Sequence, residues 1–518
     1  MTIVVVDQMR ADYIDRYQHQ WQHGLKRLLA NGAWYRVAEY PYAGTVTCPG
    51  HATIATGTLP ATHGMILNTW FDRAAQAEVT CTADPHVTNI SYGRRVASGD
   101  SAANLRATTL ADELRAQLDP PGRSVAVSLK ARAAIMLAGR APSAVAWFDE
   151  AGAWVTSSAF ASAPLPTLQA WFAAHSFEQD AGRRWEPALS PGAYLFGRSV
   201  AGVSPPAGMT QVFPHALSDD GAIDLRFYER WQTSPFADEY VSQLALDVAR
   251  AQGLGSGPST SLLSVSFSAL DKVGHQYGPH SHEVQDVLIR LDRTLGGLLD
   301  ALDAMAGSGH HVVALVGDHG VAPIPEQARE SALDAGRVDA KQLIAVCERA
   351  LSAVLGPGPH VARLVGSDLY LTGASSTRLA STPSAVDALR SAVAELPGIA
   401  GLFTAEELER TPAWDSSLRG RFARSHFPGR SGDVTFLVRP YWQIAPTGTT
   451  HGSPYAYDAR VPLMLMGQGI AAGQYGVPAS PVDLAPTLAY LAGVTLPRTD
   501  GRVLREALAP AAPLRDSR

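Results

Sequence analysis

Five short apolar runs, rich in β-branched residues, recur between helical patterns at residues 3–6, 125–129, 262–267, 312–316 and 461–466. A run that is apolar at every position predicts a strand buried on both faces, and such strands alternating with helices indicate a parallel sheet. We therefore predict an α/β fold with a mostly parallel central sheet flanked by helices. Ligands of such sheets bind beyond the carboxyl ends of the strands, and four of the five runs are soon followed by polar residues.

Two long intervals interrupt this alternation. Residues 141–250 contain five of the ten tryptophans and no regular strand–helix repeat, and residues 326–430 show helical patterns interleaved with short strands. The chain has 518 residues, 46% of them hydrophobic, so it can bury one large core. We predict one core domain over residues 1–518 with cap insertions at 141–250 and 326–430. We expect the tryptophans to form the first cap's own small core; a surface for a leaving group is the alternative.

The composition argues against several classes of protein. The 42 basic and 48 acidic residues give a net charge of −6 with only 17% charged residues, which disfavours a nucleic-acid-binding protein and a disordered acidic chain. No run approaches the roughly 18 apolar residues of a membrane helix. Cys48, Cys81 and Cys347 lack Cys-x-x-Cys spacing, so a cysteine-based zinc site is not predicted, whereas one disulfide stays open.

The segment Gly317-Asp318-His319-Gly320 follows one of the predicted strands. In a continuing strand Asp318 and His319 would point to opposite faces, so they can serve one site only if the chain turns there. Gly320 permits a turn. A carboxylate beside an imidazole suits a divalent transition metal, zinc in particular; a hydrogen-bonded Asp–His pair in a loop is the alternative.

A second segment, Asp271-Lys272-Val273-Gly274-His275, also follows a predicted strand. Residues four apart lie on the same face of a helix. If the segment makes a helical turn, Asp271 and His275 converge. Together with Asp318 and His319 they supply enough nitrogen and oxygen ligands for two metal ions.

A third segment contains a candidate nucleophile. Pro49 suits a helix start and Gly57 a helix end, which predicts a short helix between them. Thr47 then lies just before the helix N-terminus, where free N–H groups favour an anion. A bound metal could lower the pKa of its hydroxyl, as zinc lowers that of water; without a metal, Thr47 is an ordinary residue of the cap region.

These segments, with Val6-Asp7 near the start and Thr450-His451-Gly452 near the end, resemble the motifs of the alkaline phosphatase superfamily in their chain order. The resemblance spans residues 1 to about 490. It implies an alkaline-phosphatase-like core that holds two zinc ions. One ion would be held by Asp271, His275 and His451, and the other by Asp7, Asp318 and His319, with Thr47 as a bridging nucleophile.

Three further residues are similar to those around the phosphate in part of this superfamily. Asn68 matches an asparagine shared by phosphate-irrepressible (PafA-like) alkaline phosphatases and nucleotide pyrophosphatase/phosphodiesterases, and Lys130 and Arg132 match residues particular to the first group. A monoester carries nearly two negative charges and a diester one, so two cations favour the monoester. Without the resemblance, a solvated pair at a strand end is the simpler interpretation of Lys130 and Arg132.

The resemblance predicts a two-zinc phosphomonoesterase that forms a phosphothreonine at Thr47. A phosphodiesterase or nucleotide pyrophosphatase with the same site is the first alternative, and a non-catalytic binding protein the second. A sulfatase is disfavoured, since its modified cysteine would stand at position 47 and an arginine at position 51, where this chain has Thr47 and His51. Small phosphate monoesters are the expected substrates, with no nucleic acid, membrane or obligate protein partner.

The resemblance also predicts a periplasmic or secreted enzyme. The chain has no basic segment followed by an apolar run at its N-terminus, and its first strand begins almost at once. Removal of a signal peptide is therefore a hypothesis, and a cytoplasmic location stays open.

Overall fold

A computed structural model describes residues 1–509 and contains a central sheet of ten strands. Within this part of the chain the strands are β1 (Thr2–Val6), β2 (Ala33–Tyr35), β3 (Thr69–Asp72), β4 (Ala77–Thr80), β5 (Asn89–Ser91), β6 (Ser124–Ser128), β7 (Ala144–Phe148), β8 (Trp154–Ser157), β9 (Arg184–Trp185), β10 (His215–Ala216), β11 (Leu262–Phe267), β12 (Val312–Gly317), β13 (Gly336–Arg337), β14 (Val361–Val365), β15 (Asp368–Leu371), β16 (Ile399–Thr404), β17 (Val434–Val438), β18 (Trp442–Gln443), β19 (Leu463–Gly467) and β20 (Gly473–Tyr475).

The α-helices of the same region are α1 (Asp12–Arg16), α2 (Gly24–Asn31), α3 (Thr47–Thr56), α4 (Pro60–His63), α5 (Leu110–Gln117), α6 (Ala131–Ala138), α7 (Pro166–Ala174), α8 (Leu225–Gln232), α9 (Pro235–Ala251), α10 (Ala269–Tyr277), α11 (His282–Ala306), α12 (Pro325–Glu330), α13 (Ala340–Leu355), α14 (Gly373–Ser381), α15 (Pro383–Ala394), α16 (Ala405–Glu409), α17 (Leu418–Ser425), α18 (Ala456–Ala459) and α19 (Leu484–Ala492).

The central sheet has the strand order β20-β2-β19-β12-β1-β11-β6-β7-β8-β5. The five strands from β12 to β7 are parallel to one another. All five predicted runs form strands of this sheet, which confirms the α/β prediction. The last of them, β19, pairs antiparallel with both β12 and β2, so the parallel part of the sheet is narrower than the sequence suggested.

Helices cover both faces of the sheet, and β1 shows why its run is apolar throughout. Val4 and Val6 pack into one hydrophobic cluster, with side chains from α2, α9, α10 and α11. Ile3 and Val5 pack into another, with side chains from α3, α5, α6 and α19. Because successive strand residues point to opposite faces, a strand between two helical layers must be apolar at every position.

The two intervals predicted as insertions differ in structure. Strands β14, β15, β17 and β16 form a separate four-stranded sheet over a hydrophobic cluster of its own, and this sheet extends to Val438, beyond the predicted boundary at residue 430. In the first interval, β7 and β8 belong to the central sheet. Three of its tryptophans, Trp154, Trp185 and Trp231, join the main core on one face of that sheet, so the expectation of an independent small core was wrong. Within residues 1–509 no helix combines the length and apolar character needed to cross a membrane.

Candidate active site

Four neighbouring parallel strands end at one place. Asp7 follows β1, Lys130 follows β6, and Asp318 follows β12; Asp271 lies in the first turn of α10, just after β11. Because parallel strands bring their carboxyl ends to the same edge, residues distant in sequence meet there. These four side chains therefore lie together at the carboxyl edge of the sheet, where the sequence predicted a ligand site.

Asp7, Asp318 and His319 form the first ligand group, and all three are fully buried. One ligand atom from each lies within 4.8 Å of the others. His319 Nε2 is 3.4 Å from Asp7 Oδ1 and 3.4 Å from Asp318 Oδ2. The chain does turn after Gly317, and Gly320 is required there for space, since a Cβ would lie 2.2 Å from the Tyr457 carbonyl oxygen.

Asp271 and His451 lie at the centre of the second group. His451 Nε2 is 3.6 Å from Asp271 Oδ1, and His275 Nε2 is 3.2 Å from the same oxygen. Asp271 and His275 lie on α10, as the four-residue spacing predicts. The cluster whose ligand atoms lie within 4.8 Å of one another consists of Asp271, His451 and His319 and does not include His275; the His319 and His451 rings stack with centroids 3.6 Å apart. His319 therefore lies between the two groups.

The three histidines are held in the same way. Their Nδ1 atoms donate to backbone carbonyls: His275 to Thr449 at 2.7 Å, His319 to Gly320 at 2.9 Å and His451 to Thr45 at 2.9 Å. A hydrogen bond at Nδ1 fixes the ring and leaves the Nε2 lone pair for a metal. His51 differs, because its Nδ1 contacts the Thr47 carbonyl and its Nε2 contacts Ser266 Oγ, so it has no free ring nitrogen.

Thr47 is the first residue of α3, two positions earlier than the predicted helix start. Its Oγ1 lies 3.5 Å from His319 Nε2, and its side chain is buried. Gly50, one turn along α3, lets the helix approach the Asp318 segment, since a Cβ there would lie 2.5 Å from the Asp318 carbonyl oxygen. The helix N-terminus and its hydroxyl are thereby brought against the ligand groups.

The three predicted phosphate contacts have different surroundings. The Asn68 side-chain oxygen accepts a hydrogen bond from the Cys48 N–H at 2.8 Å. Arg132 lies in the first turn of α6, and within residues 1–509 its guanidinium has no hydrogen-bond partner, with Nε buried. Lys130 is not free: its Nζ lies 2.6 Å from Asp7 Oδ2 and 2.5 Å from Asp271 Oδ2, which joins the two ligand groups.

The charges of the site are strongly coupled. Burial lowers a histidine pKa, yet the carboxylates of Asp318 and Asp7 raise the pKa of His319 to about 9. Burial and the neighbouring His319 and His275 hold the pKa of His451 well below its ordinary value. Despite burial, Asp271 and Asp7 raise the pKa of Lys130. Binding a metal through His319 Nε2 requires loss of that ring's extra proton.

Gln8 is a site residue that the sequence did not reveal. Its backbone N–H donates to Asp318 Oδ1 at 3.0 Å, and its side-chain amide donates to Asp271 Oδ1 at 2.8 Å. It connects the two ligand groups from a left-handed conformation with φ of 66°. Gly274 makes room for it, since a Cβ there would lie 1.8 Å from Gln8 Oε1.

The donor set fits a divalent metal. Asp7 Oδ1 and Asp318 Oδ2 are buried oxygens that accept no hydrogen bond from residues 1–509, and leaving such atoms unsatisfied is costly. Each of these oxygens lies 3.4 Å from His319 Nε2. Mixed carboxylate oxygen and imidazole nitrogen ligands suit zinc and similar ions.

Buried candidate metal ligands around one hydroxyl, at the carboxyl edge of a mostly parallel sheet, are typical of metal-dependent hydrolases. Residues 1–454 match the family of type I phosphodiesterases and nucleotide pyrophosphatases, and the chain belongs to this family. Within it, the chain groups with the alkaline phosphatases. It is 31% identical to alkaline phosphatase PhoK of Sphingomonas sp, over 97% of this chain and 90% of PhoK. It is 29% identical to alkaline phosphatase PafA of Elizabethkingia meningoseptica, over 95% of this chain and 91% of PafA.

The crystal structure of PafA has the same fold. It matches this structure with a TM-score of 0.89 and 27% identity, over 98% of both chains. A PafA variant of known structure is substituted at a threonine, an asparagine, a lysine and an arginine. Those four residues have the same separations along the chain as Thr47, Asn68, Lys130 and Arg132 have here.

Proposed function

We propose that this phosphate monoester hydrolase acts through two zinc ions and a phosphothreonine intermediate at Thr47. The observation that carries the proposal is the buried Thr47 hydroxyl, 3.5 Å from His319 Nε2, beside two groups of metal ligands. Asp271, His275 and His451 would hold one ion, and Asp7, Asp318 and His319 the other. When bound, the ions would lower the pKa of the Thr47 hydroxyl and stabilise charge on the reacting oxygens.

Thr47 Oγ1 attacks phosphorus opposite the leaving oxygen. The bond from phosphorus to the leaving alcohol breaks as the bond to Oγ1 forms, which gives phosphothreonine and releases the alcohol. Water then attacks the phosphothreonine, frees inorganic phosphate and restores the hydroxyl. The N-terminus of α3 supports this assignment, since the positive end of the helix dipole favours the negative charge of the phosphoryl group.

Asn68 and Arg132 bind the phosphate oxygens that do not react, while Lys130 acts through its charge. The Asn68 amide nitrogen has no hydrogen-bond partner within residues 1–509, so it can donate to the substrate. Arg132 offers a planar guanidinium without a carboxylate partner, which suits two oxygens of one phosphate. Lys130 holds Asp7 and Asp271 together, and its charge adds to the attraction for a dianion.

A phosphodiesterase or nucleotide pyrophosphatase is the second candidate, because the whole family shares the match over residues 1–454. Two cations near a single phosphate favour the monoester, since the diester has one charge fewer and an additional group. Comparing kcat/KM for an aryl phosphate with that for its methyl ester separates the candidates. We expect a clear preference for the monoester, and a preference for the diester would defeat the assignment.

We further propose that the enzyme works in the periplasm or outside the cell. Cys48 and Cys81 are joined by a disulfide. Disulfides persist mainly in oxidising compartments. Small-molecule phosphate monoesters reaching such a compartment are the proposed substrates.

A further inference from the structure

The disulfide between Cys48 and Cys81 lies directly beside the proposed nucleophile. Cys48 follows Thr47 at the start of α3, and Cys81 follows β4. Both cysteines are fully buried. The bridge therefore connects the nucleophile helix to the β3–β4 hairpin, which begins next to Asn68.

Asn68 is held between the two cysteines. The Cys48 N–H donates to the Asn68 side-chain oxygen at 2.8 Å, and the Cys81 N–H donates to the Asn68 backbone oxygen at 2.9 Å. Both atoms that fix this asparagine thus belong to the residues that the disulfide joins. With its oxygen engaged, the amide can present only its NH2 group to a ligand.

At this end the hairpin is also held by the Asn104 side-chain amide, which donates to the Cys81 carbonyl at 3.2 Å, and by the Ser101 N–H, which donates to the Thr82 carbonyl at 2.9 Å. Strands β3 and β4 form a sheet of two strands, and β4 is largely exposed. A two-stranded hairpin is marginally stable alone. Trp70 and Phe71, the second and third residues of β3, are buried and anchor the hairpin. The disulfide and the hydrogen bond from the Cys48 N–H to Asn68 join the Asn68 end of the hairpin to α3.

We propose that the Cys48–Cys81 disulfide is a positioning device that fixes Asn68 against Thr47 for catalysis. The inference rests on the proposed role of Asn68 in binding phosphate. Reduction by a dithiol would add two electrons and two protons to give two thiols, while the dithiol becomes a disulfide. The reduced enzyme keeps its ligand groups and Thr47, but its Asn68 amide is less well placed. The activity therefore depends on whether Cys48 and Cys81 are joined by the disulfide.

A double-mutant cycle tests this device. The four proteins are the wild type, Cys48→Ala/Cys81→Ala, Asn68→Ala, and the triple variant, all assayed with an aryl phosphate. We expect removal of the disulfide to lower kcat/KM about tenfold in the wild-type background and less than about twofold in the Asn68→Ala background, the coupling expected for groups in contact. A merely structural disulfide would lower activity equally in both backgrounds.

The outcomes are distinguishable from failure of the proposed function. If Asn68→Ala alone leaves kcat/KM unchanged, the phosphate-binding role of Asn68 is wrong. If Asn68→Ala lowers kcat/KM but loss of the disulfide has no effect, or an equal effect in both backgrounds, the positioning proposal is overturned. Cys48→Ser/Cys81→Ser provides a second pair in case the alanine pair does not fold. Cys347→Ala, which removes the buried free thiol of α13, should leave activity unchanged.

Discussion

Arg132 is a cation without a partner beside a cluster of carboxylates. Its neighbour Lys130 binds two of those carboxylates, yet the Arg132 guanidinium has no hydrogen-bond or ion-pair partner within residues 1–509. Since a buried donor without a partner is costly, such a group indicates a ligand. The dianionic phosphate of the substrate is the ligand that we assign to it.

Arg132→Ala should lower kcat/KM for a monoester by about 10–100-fold, because it removes charge-assisted hydrogen bonds to the phosphate. The loss for a methyl diester should be several times smaller, since the diester has one charged oxygen fewer. Arg132→Lys serves as the matched control and should recover part of the monoester rate. Equal losses on both substrates would contradict the charge argument.

Among single residues, the sequence predicted the candidate metal ligands best, because carboxylate and imidazole side chains are the usual ligands of such ions. Asp318, His319, Asp271 and His275 follow buried strands at spacings that bring ligands together. Gln8 was missed, because its role depends on a left-handed backbone and on the space above Gly274, neither of which its residue type predicts. The ion pairs of Lys130 were missed as well, since they join residues of three different strand ends.

Helix α10, which carries Asp271 and His275, is held at its N-terminus by a residue of another helix. Asp238 of α9 accepts hydrogen bonds from the N–H groups of Ser268 at 3.0 Å and Ala269 at 3.2 Å. Burial outweighs these bonds and raises the pKa of Asp238 from 3.8 to about 7. The helix is therefore positioned by a carboxyl group that is costly to ionise.

This carboxyl group makes stability depend on pH. With its pKa raised in the folded state, Asp238 binds a proton more tightly there than in the unfolded chain, so its contribution to stability falls as pH rises from about 4 to about 7. Asp238→Asn removes the ionisable group and should raise the free energy of unfolding at pH 8 by up to about 4 kcal/mol. Urea titrations should show the gain shrinking toward pH 4; a gain independent of pH would contradict this.

At the scale of elements, strands were predicted well because burial on both faces leaves a continuous apolar run. The antiparallel direction of β19 was not predicted, since direction depends on the path of the connecting chain and leaves no local pattern. The start of α3 was misplaced by two residues because Pro49 fits the third helical position as well as the first. The separate sheet lies mostly within the interval predicted as the second insertion, but it includes β17 from beyond the predicted boundary.

For the molecule as a whole, the two ligand groups lower the stability of the metal-free folded state. Carboxylates from three strand ends are buried together, and two of their oxygens accept no hydrogen bond from the part of the chain that the structure describes. Bringing such charges together opposes folding, and Lys130 pairs with Asp7 and Asp271 but not with Asp318, so a further cation would stabilise the arrangement. The fold and the metal cofactor should therefore be thermodynamically linked, with the metal stabilising the native state.

Removal of metal should lower the melting temperature of the whole enzyme. A ligand present at 100 times its dissociation constant stabilises the native state by about 2.7 kcal/mol, so dialysis against a chelator should produce a clear downward shift that added zinc reverses. Asp318→Ala, which removes one ligand, should show a smaller shift in calorimetry. An identical melting temperature with chelator and with zinc would contradict the link.

We expect Thr47 to become covalently phosphorylated during turnover. The direct measurement is to mix the enzyme with an aryl phosphate, quench with acid within the first turnovers, and map phosphate on the peptides by mass spectrometry. We predict phosphate on Thr47, a burst of the released phenol, and neither in Thr47→Ala, whose activity should fall at least about a thousandfold. An unmodified Thr47 throughout turnover, with a Thr47→Ala variant as active as the wild type, would contradict the phosphothreonine mechanism.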